Sequence, residues 1–258
     1  MRFLLSSVLV AILLPVISAA QSGYQPGSIV NLKGDTDRGF INYSEWENNP
    51  RSITFKSGEN GPAVQFTANQ IRYFSVNVGH LAEFQSYIGP ISTNSIEVSQ
   101  LPVGRDTSFT IDTVFLKILQ KGNNVVLYSF ADNFKTRFFI GEKSPDEPKE
   151  LIYRPYYNSN EENGRDRTVY ETPYKGQLYD AAVKAGKNSA ALKDYIQKAV
   201  YREADLVNIV SQINGISNTD LSKNNLTKAK GSNIAIAIIG GILVIIATIG
   251  EFSRLHGK

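Results

Sequence analysis

Phe115-Leu-Lys-Ile-Leu-Gln-Lys-Gly-Asn-Asn-Val-Val-Leu-Tyr-Ser-Phe130 decides how this chain folds. Two runs rich in aromatic and branched residues, 115–120 and 125–130, flank Gly122-Asn-Asn124, whose residues favour a tight turn. The stretch therefore reads as an antiparallel hairpin. Downstream, Thr136-Arg-Phe-Phe-Ile140 and Glu150-Leu-Ile-Tyr153 extend it into a meander, with Asp132-Asn133 as a further turn. Upstream, Ser28-Ile-Val-Asn-Leu-Lys33, Gly39-Phe-Ile-Asn-Tyr43, Ser52-Ile-Thr-Phe-Lys56, Ala63-Val-Gln-Phe-Thr67 and Ile71-Arg-Tyr-Phe-Ser-Val76 read as short strands. They are separated by Gly34-Asp-Thr-Asp37, Asn48-Asn-Pro50 and Gly58-Glu-Asn-Gly61. Residues 77–110 read less clearly, as further strands with longer loops. A β-rich domain over 24–157 follows.

Beyond it the pattern changes. Residues 158–172 carry the polar run Asn158 to Arg167 and read as an exposed loop. Helical spacing then takes over in 174–183 after Pro173, in 189–197 behind a Ser189 cap, and in 202–213 ending at Asn214-Gly215. These make a helical appendage over 173–215, followed by a polar linker over 216–232. The fold class is α+β: a mainly antiparallel β domain of meander and hairpins, a small helical appendage and one C-terminal transmembrane helix.

The two ends argue for location. Arg2, the apolar run Phe3–Ile17 and the small residues Ser18, Ala19 and Ala20 have the order of a secretory signal, with cleavage expected after Ala20. An uncleaved anchor is the other reading, opposed by the short run and by Pro15. Residues 233–250 contain no charged side chain. As a helix they reach roughly 27 Å, close to the thickness of a hydrocarbon core. A buried core helix is the alternative, but such a helix keeps a polar stripe and this segment has none. Gly240-Gly241 is tolerated in a helix within lipid. Ala237 and Gly241 form a small-xxx-small pair, a weak signal for self-association. A cleaved signal places the body outside the cytoplasm and the tail 251–258 inside. Lys223, Lys228 and Lys230 before the span, against Arg254 and Lys258 after it, run against that orientation. The lysine cluster is expected at the membrane interface.

Removing residues 1–20 takes away Arg2 and leaves 26 basic against 24 acidic side chains, a net charge of +2. That mixed balance excludes a phosphate-backbone binder, so nucleic acid is not an expected partner. The chain has no cysteine, which excludes a lipoprotein anchor and disulfides.

Gly34-Asp-Thr36, Gly39 to Tyr43, Trp46, Asn49-Pro50, Ile53 to Lys56, Phe66-Thr67, Ile71, Phe115 to Lys117 and Arg137 to Phe139 together resemble the N-terminal domain of uncharacterised exported envelope proteins of Bacteroidetes-type bacteria. Tyr174 to Tyr179, Tyr201 and Leu206 to Asn214 are similar to the helical part of that family. The resemblance covers most of residues 24–215 and implies a β-rich envelope domain. It carries no established activity and no catalytic residue. Where the family's helical part would be expected to hold cysteines, this chain has none.

Chemistry-bearing motifs are sparse. The two histidines are His80 and His256, which exclude a zinc cluster, and no Gly-x-Ser-x-Gly elbow accompanies His80. No Walker or dinucleotide glycine pattern occurs. Asp35-Thr-Asp-Arg-Gly39 begins like a calcium loop but lacks the distal ligands, so a hairpin turn capped by an Asp side chain is expected. Glu83, Glu97 and Asp112 offer carboxylates for glycoside hydrolysis if the fold pairs them. Tyr153-Arg-Pro-Tyr-Tyr157 either stacks on a sugar or peptide or closes the last strand of the meander. The expectation is a membrane-anchored, extracytoplasmic binding or scaffolding protein of the bacterial cell envelope. It is not an enzyme, has no catalytic, cofactor or metal residues, and has envelope proteins as possible partners. The alternative is an envelope hydrolase using paired carboxylates.

Overall fold

The computed structural model describes residues 23–142, 147–158 and 168–216, and the backbone of 234–239 and 242–247. The expected signal at 1–20, most of the linker and the tail lie outside the described residues. Twelve strands and three helices make up the body in chain order: β1 Tyr24–Asn31, β2 Thr36–Asn42, β3 Ser52–Lys56, β4 Val64–Thr67, β5 Ile71–Asn77, β6 Leu81–Ser92, β7 Phe109–Lys121, β8 Val125–Ala131, β9 Thr136–Glu142, β10 Lys149–Glu150, β11 Arg154–Tyr157, β12 Thr168–Glu171, α1 Pro173–Lys184, α2 Ala190–Lys198 and α3 Glu203–Ile213. The first ten strands form one antiparallel sheet in the order β10-β9-β8-β7-β6-β5-β1-β2-β3-β4. From β7 to β10 this is the meander expected from the 115–130 hairpin, with its last strand at Lys149–Glu150 rather than 150–153, and β5 and β6 continue it upstream. β11 and β12 pair separately, so 168–171 is strand where an exposed loop was expected.

Alternation along the strands sends successive side chains to different cores. Ile29, Ile41, Ile53, Phe55, Ile71, Phe74, Val76 and Phe84 of β1 to β6, with Phe115 of β7, form the core of the first lobe. Within it Phe74 stacks on Phe84 with ring centroids 4.5 Å apart, and Trp46 packs edge-on against both. Gly39 is required there, because a Cβ would lie 2.0 Å from the Lys56 carbonyl oxygen. In the second half, Val125, Leu127 and Phe138 face Leu178, Ile196, Leu206, Ile209 and Ile213 of the helices. Their neighbours Tyr128, Phe130 and Phe139 face the other way, onto Tyr87, Ile91, Val114 and Leu116 of β6 and β7. The strands β8 and β9 are thus the middle of three layers. The helices of the expected appendage pack as a layer over this half of the sheet.

Local chemistry fixes that cover. Pro173 opens α1, and the Ser189 hydroxyl accepts the Leu192 N–H at 3.2 Å to cap α2. At the end of α3, Asn214 accepts the N–H groups of Asn124 and Val125 and donates to the Val125 carbonyl. Gly122 is needed for this docking, since a Cβ would fall 1.9 Å from the Asn214 side chain. The Tyr201 hydroxyl donates to the Leu151 carbonyl and accepts the Phe138 N–H, closing the outer edge of β9. Burial raises its pKa.

The C-terminal segment departs from expectation. Instead of a helix over 233–250, the described backbone forms two antiparallel strands, β13 Ile234–Ile239 and β14 Ile242–Ala247, with Ile239 opposite Ile242. The sequence accounts for this: isoleucines restrict χ1 and favour strand, and a Gly-Gly pair between two such runs is a hairpin signal. No helix among the described residues is long and apolar enough to cross a membrane.

Candidate functional site

The sheet is interrupted where β6 and β7 lengthen. Pairing of β5 with β6 ends at Gln85 and pairing of β8 with β7 ends at Lys117, while Ser86–Ser92 and Phe109–Phe115 continue to pair only with each other. Asn49 keeps β7 and β8 apart. Its side-chain amide donates to the carbonyls of Phe115 at 2.7 Å and Ser129 at 3.0 Å, and its Oδ1 accepts the Ala131 N–H. The result is a two-stranded ribbon whose inner side packs on Tyr128 and Phe139. It leaves Ile88, Phe109 and Ile111 at least 60 % exposed.

Between this ribbon and the segment 147–154 runs a groove of about 840 Å³. Tyr87, Pro90, Phe109, Ile111, Pro148 and Ile152 supply its apolar surface, and Ser92, Glu147, Lys149, Glu150 and Arg154 supply polar and charged groups. The Ser92 N–H and hydroxyl both donate to the Glu150 carboxylate, one to each oxygen. Behind Ser92, its carbonyl accepts the Arg137 Nε–H at 2.7 Å; Arg137 also donates to the Lys135 carbonyl and pairs with Asp132 at 3.0 Å. Lys135 Nζ donates to Asn94 Oδ1 at 2.8 Å. Lys135 and Arg137 are both buried, and burial, helped by the Arg137 charge, lowers the Lys135 pKa to about 8. Burial pushes Asp132 upward, but the N–H groups of Lys135 and Phe134 and the Arg137 guanidinium hold it below its ordinary value. Tyr87 is pushed up to about 12 by burial and then by Glu150 and Glu147.

Arg154 is the one unsettled member. Its side chain is only 17 % exposed, its Nε has no hydrogen-bond partner, and its nearest ion-pair partner, Glu171, is 3.9 Å away and engaged by Arg105 at 2.9 Å.

The sequence candidates are scattered relative to this groove. Glu83 accepts from the Tyr73 hydroxyl and Lys121, and Asp112 pairs with Arg51. Asp112 lies opposite Gly89. Six residues of β6 therefore separate it from Glu83, roughly 20 Å, too far for paired hydrolytic carboxylates. Glu97 precedes the short helical turn Val98–Gln100, outside the strands that carry the other two. His80 sits in the β5–β6 turn, where its carbonyl accepts the Val78 N–H, and it lines a separate pocket of about 170 Å³ with Trp46 and Lys117. The 31–35 turn is indeed a hairpin turn, but Asn31, not an Asp, accepts the N–H groups of Lys33 and Asp35. Among the described residues no group of three metal-ligating side chains forms. Tyr153 stacks on Tyr201 at 5.0 Å toward the helices, and the Tyr157 hydroxyl donates to the Val98 carbonyl. Only Arg154 of that aromatic run reaches the groove. Ala237 pairs with Val244 in the C-terminal hairpin, whereas Gly241 and His256 lie outside the described residues.

Sequence reading missed Ser92, Phe109, Ile111, Glu150 and Arg154 as a set. Their one sequence signal is Phe109-Thr-Ile111, apolar residues alternating with a polar one on the same strand as the deciding hairpin. No known protein family, curated protein or solved structure matches the chain.

Proposed function

We propose that this chain is a membrane-anchored, extracytoplasmic binding or scaffolding module of the bacterial cell envelope, and that the groove beside the β6–β7 ribbon is its binding face. The groove carries the reading. An exposed apolar wall beside a part-buried guanidinium whose Nε lacks a partner is expensive to maintain unless a ligand covers the one and pairs with the other. The three-part leader at 1–20, the charge-free segment 233–250 and the resemblance to exported envelope proteins support the location. In lipid, a lone two-stranded hairpin leaves its outer backbone groups unpaired, whereas a helix satisfies every one internally. We therefore assign a spanning helix to 233–250 when it is in a bilayer. The hydrolase alternative needs two carboxylates facing across a cleft, and Glu150 has both oxygens committed to Ser92.

Two measurements test this. Alkaline carbonate should leave the full chain in the membrane pellet and release a version ending at residue 232; release of both removes the anchor. A photo-crosslinking amino acid in place of Phe109, in intact cells, should give a discrete adduct that the same amino acid in place of Phe134 does not. Equal yield from the two positions would reject the groove as the binding face, since Phe134 is exposed but lies outside it.

A further inference from the structure

We infer that the groove takes a single-chain amphiphile with an oxyanionic head, carboxylate or phosphate, whose head is bound by Arg154 and whose apolar chain lies on Phe109, Ile111 and Ile152. This rests on the groove being the binding face and adds the chemistry of what it binds.

The head group follows from hydrogen-bond accounting. Around the groove Glu150 is held by Ser92, Arg137 by Ser92, Lys135 and Asp132, and Lys135 by Asn94. Arg154 Nε is one of two buried side-chain polar atoms among the described residues that have no partner; the other, Ser211 Oγ, belongs to α3 in the helical layer. Buried donors are almost always paired, and an unpaired one on a charged group is the more unfavourable kind. A guanidinium presents its donors as a planar fork that fits two oxygens of one carboxylate or phosphate. Nε itself is closed to solvent, so an incoming oxyanion meets the outer Nη groups, whose one ion pair among the described residues is with Glu171 at 3.9 Å, a carboxylate already engaged by Arg105.

The tail follows from the walls. Tyr87, Pro90, Phe109, Ile111 and Ile152 offer apolar surface continuous with the Arg154 end, and 840 Å³ falls in the range of small-ligand sites, roughly 300–1,000 Å³. A peptide added as an extra strand is the competing occupant, and the ribbon edge disfavours it. Thr93 donates inward to Ser108, so Ser92 and Pro90 are turned outward along β6; the Ser92 N–H is already taken by Glu150 and Pro90 has none. An edge without those donors is a poor template for strand addition.

The test uses the full chain in amphipol and three diazirine-bearing probes of equal chain length: a fatty acid, an alkyl phosphate and a fatty alcohol. Labelling is mapped by mass spectrometry to peptides containing residues 87–92, 107–111 and 148–154. At least one anionic probe should label these peptides tenfold or more above the alcohol. Arg154→Gln should reduce that excess to the alcohol level, Arg154→Lys should retain part of it, and Ile111→Glu should lower labelling by all three probes. Preference for the acid alone identifies a carboxylate head and preference for the phosphate a phosphoryl head; either supports the inference. Equal labelling by alcohol and anions, or an anion preference that survives Arg154→Gln, overturns it. If Arg154→Gln does not fold, the anion-to-alcohol ratio in the natural chain and in Arg154→Lys decides. Should the Phe109 crosslink appear in cells while no anion preference exists, the ligand class fails and the binding face stands. Loss of both rejects the groove altogether.

Discussion

The two halves of the molecule bury different things. In the first lobe the interior is hydrocarbon and aromatic: Phe74, Phe84, Phe115 and Trp46 interlock around Ile41 and Ile71. In the second, beside an equally apolar helical layer, the chain buries Lys135, Arg137, Asn94 and Ser92 and leaves an open groove. Arg137 is paired with Asp132 and Lys135 is bonded to Asn94, but desolvating a cation costs more than such partners return, so the second half gives up stability that the first does not. The contrast separates a lobe that holds the fold from a region organised around polar contacts. β6 and β7 belong to both, sending Phe84 and Phe115 to one core and Tyr87 and Leu116 to the other.

The largest effect tests whether the dry lobe supports the wet one. Phe74 is fully buried in the aromatic stack, and Phe74→Ala should destabilise the protein by about 3–5 kcal/mol. Trp46, the single tryptophan, reports the first lobe, and far-ultraviolet dichroism of the three helices reports the second. Because the lobes share two strands, both signals should shift together in denaturant. A first-lobe transition that moves alone would break the comparison into two independent domains.

Asn49 sits at the junction and should come next. Asn49→Ala leaves two carbonyls and the Ala131 N–H without their partner, for a loss of about 2–3 kcal/mol. The same variant should reduce crosslinking from the groove more than from Phe134, because β7 loses its spacing from β8 where the ribbon begins. A loss of stability with the ribbon undisturbed would make Asn49 a packing residue only.

The contrast also explains what could be read in advance. The hairpin at 115–130, the strand at 52–56 and all three helices were legible because each carries its own local signal: period, turn residues, the Ser189 cap, the Asn214-Gly215 stop. β6 was not, because Gly89-Pro90 interrupts its apolar pattern and its long run with β7 is set by partners far away in sequence. Nor was the role of Asn49, whose three side-chain bonds reach Phe115, Ser129 and Ala131. The groove is assembled from 87–92, 107–111 and 147–154, and nothing local in Tyr153 to Tyr157 says that the tyrosine at 153 turns to the helices and Arg154 to the groove. Residues 234–247 carry both an apolar helix-length signal and an isoleucine-rich strand signal, and the hairpin follows the second.

The buried lysine gives the wet half a pH signature. Lys135 falls from 10.5 when unfolded to about 8 when folded. Between those values the unfolded chain holds more protons, so stability should rise with pH, by about 2 kcal/mol between pH 8 and pH 10. Below pH 8 both states are protonated and the full penalty of burying the cation is present; above it the penalty fades. Tyr87 and Tyr174, each raised to about 12 by burial, act in the opposite sense once unfolded tyrosines ionise near 10. The stability profile should therefore climb from pH 8 and turn over near 10. Lys135→Met should abolish the climb and keep the fall, as read from denaturation midpoints across that range. A climb that persists in Lys135→Met assigns it to another group.

The smallest effect asks whether the helical layer is part of the second half's core or merely laid upon it. Ser189 caps α2 through the Leu192 N–H, and Leu192 and Ile196 on that helix reach the core shared with Val125, Leu127 and Phe138. Ser189→Ala should lose about 1 kcal/mol, the typical value of an N-cap hydroxyl. If the layer is integral, the loss appears in the global transition reported by Trp46, which packs on the core of the first lobe. Amide exchange of the α2 core residues then quickens only in step with global unfolding. If α2 instead opens locally, its amides exchange faster while the Trp46 midpoint stays put, and the second half would be a strand layer with a detachable cover. The bonds of Asn214 to the β7–β8 turn and of the Tyr201 hydroxyl to Leu151 and Phe138 tie α3 and the loop before it to the strands on either side of that core. Those attachments favour the integral outcome, with the cap's small energy transmitted to the whole sheet.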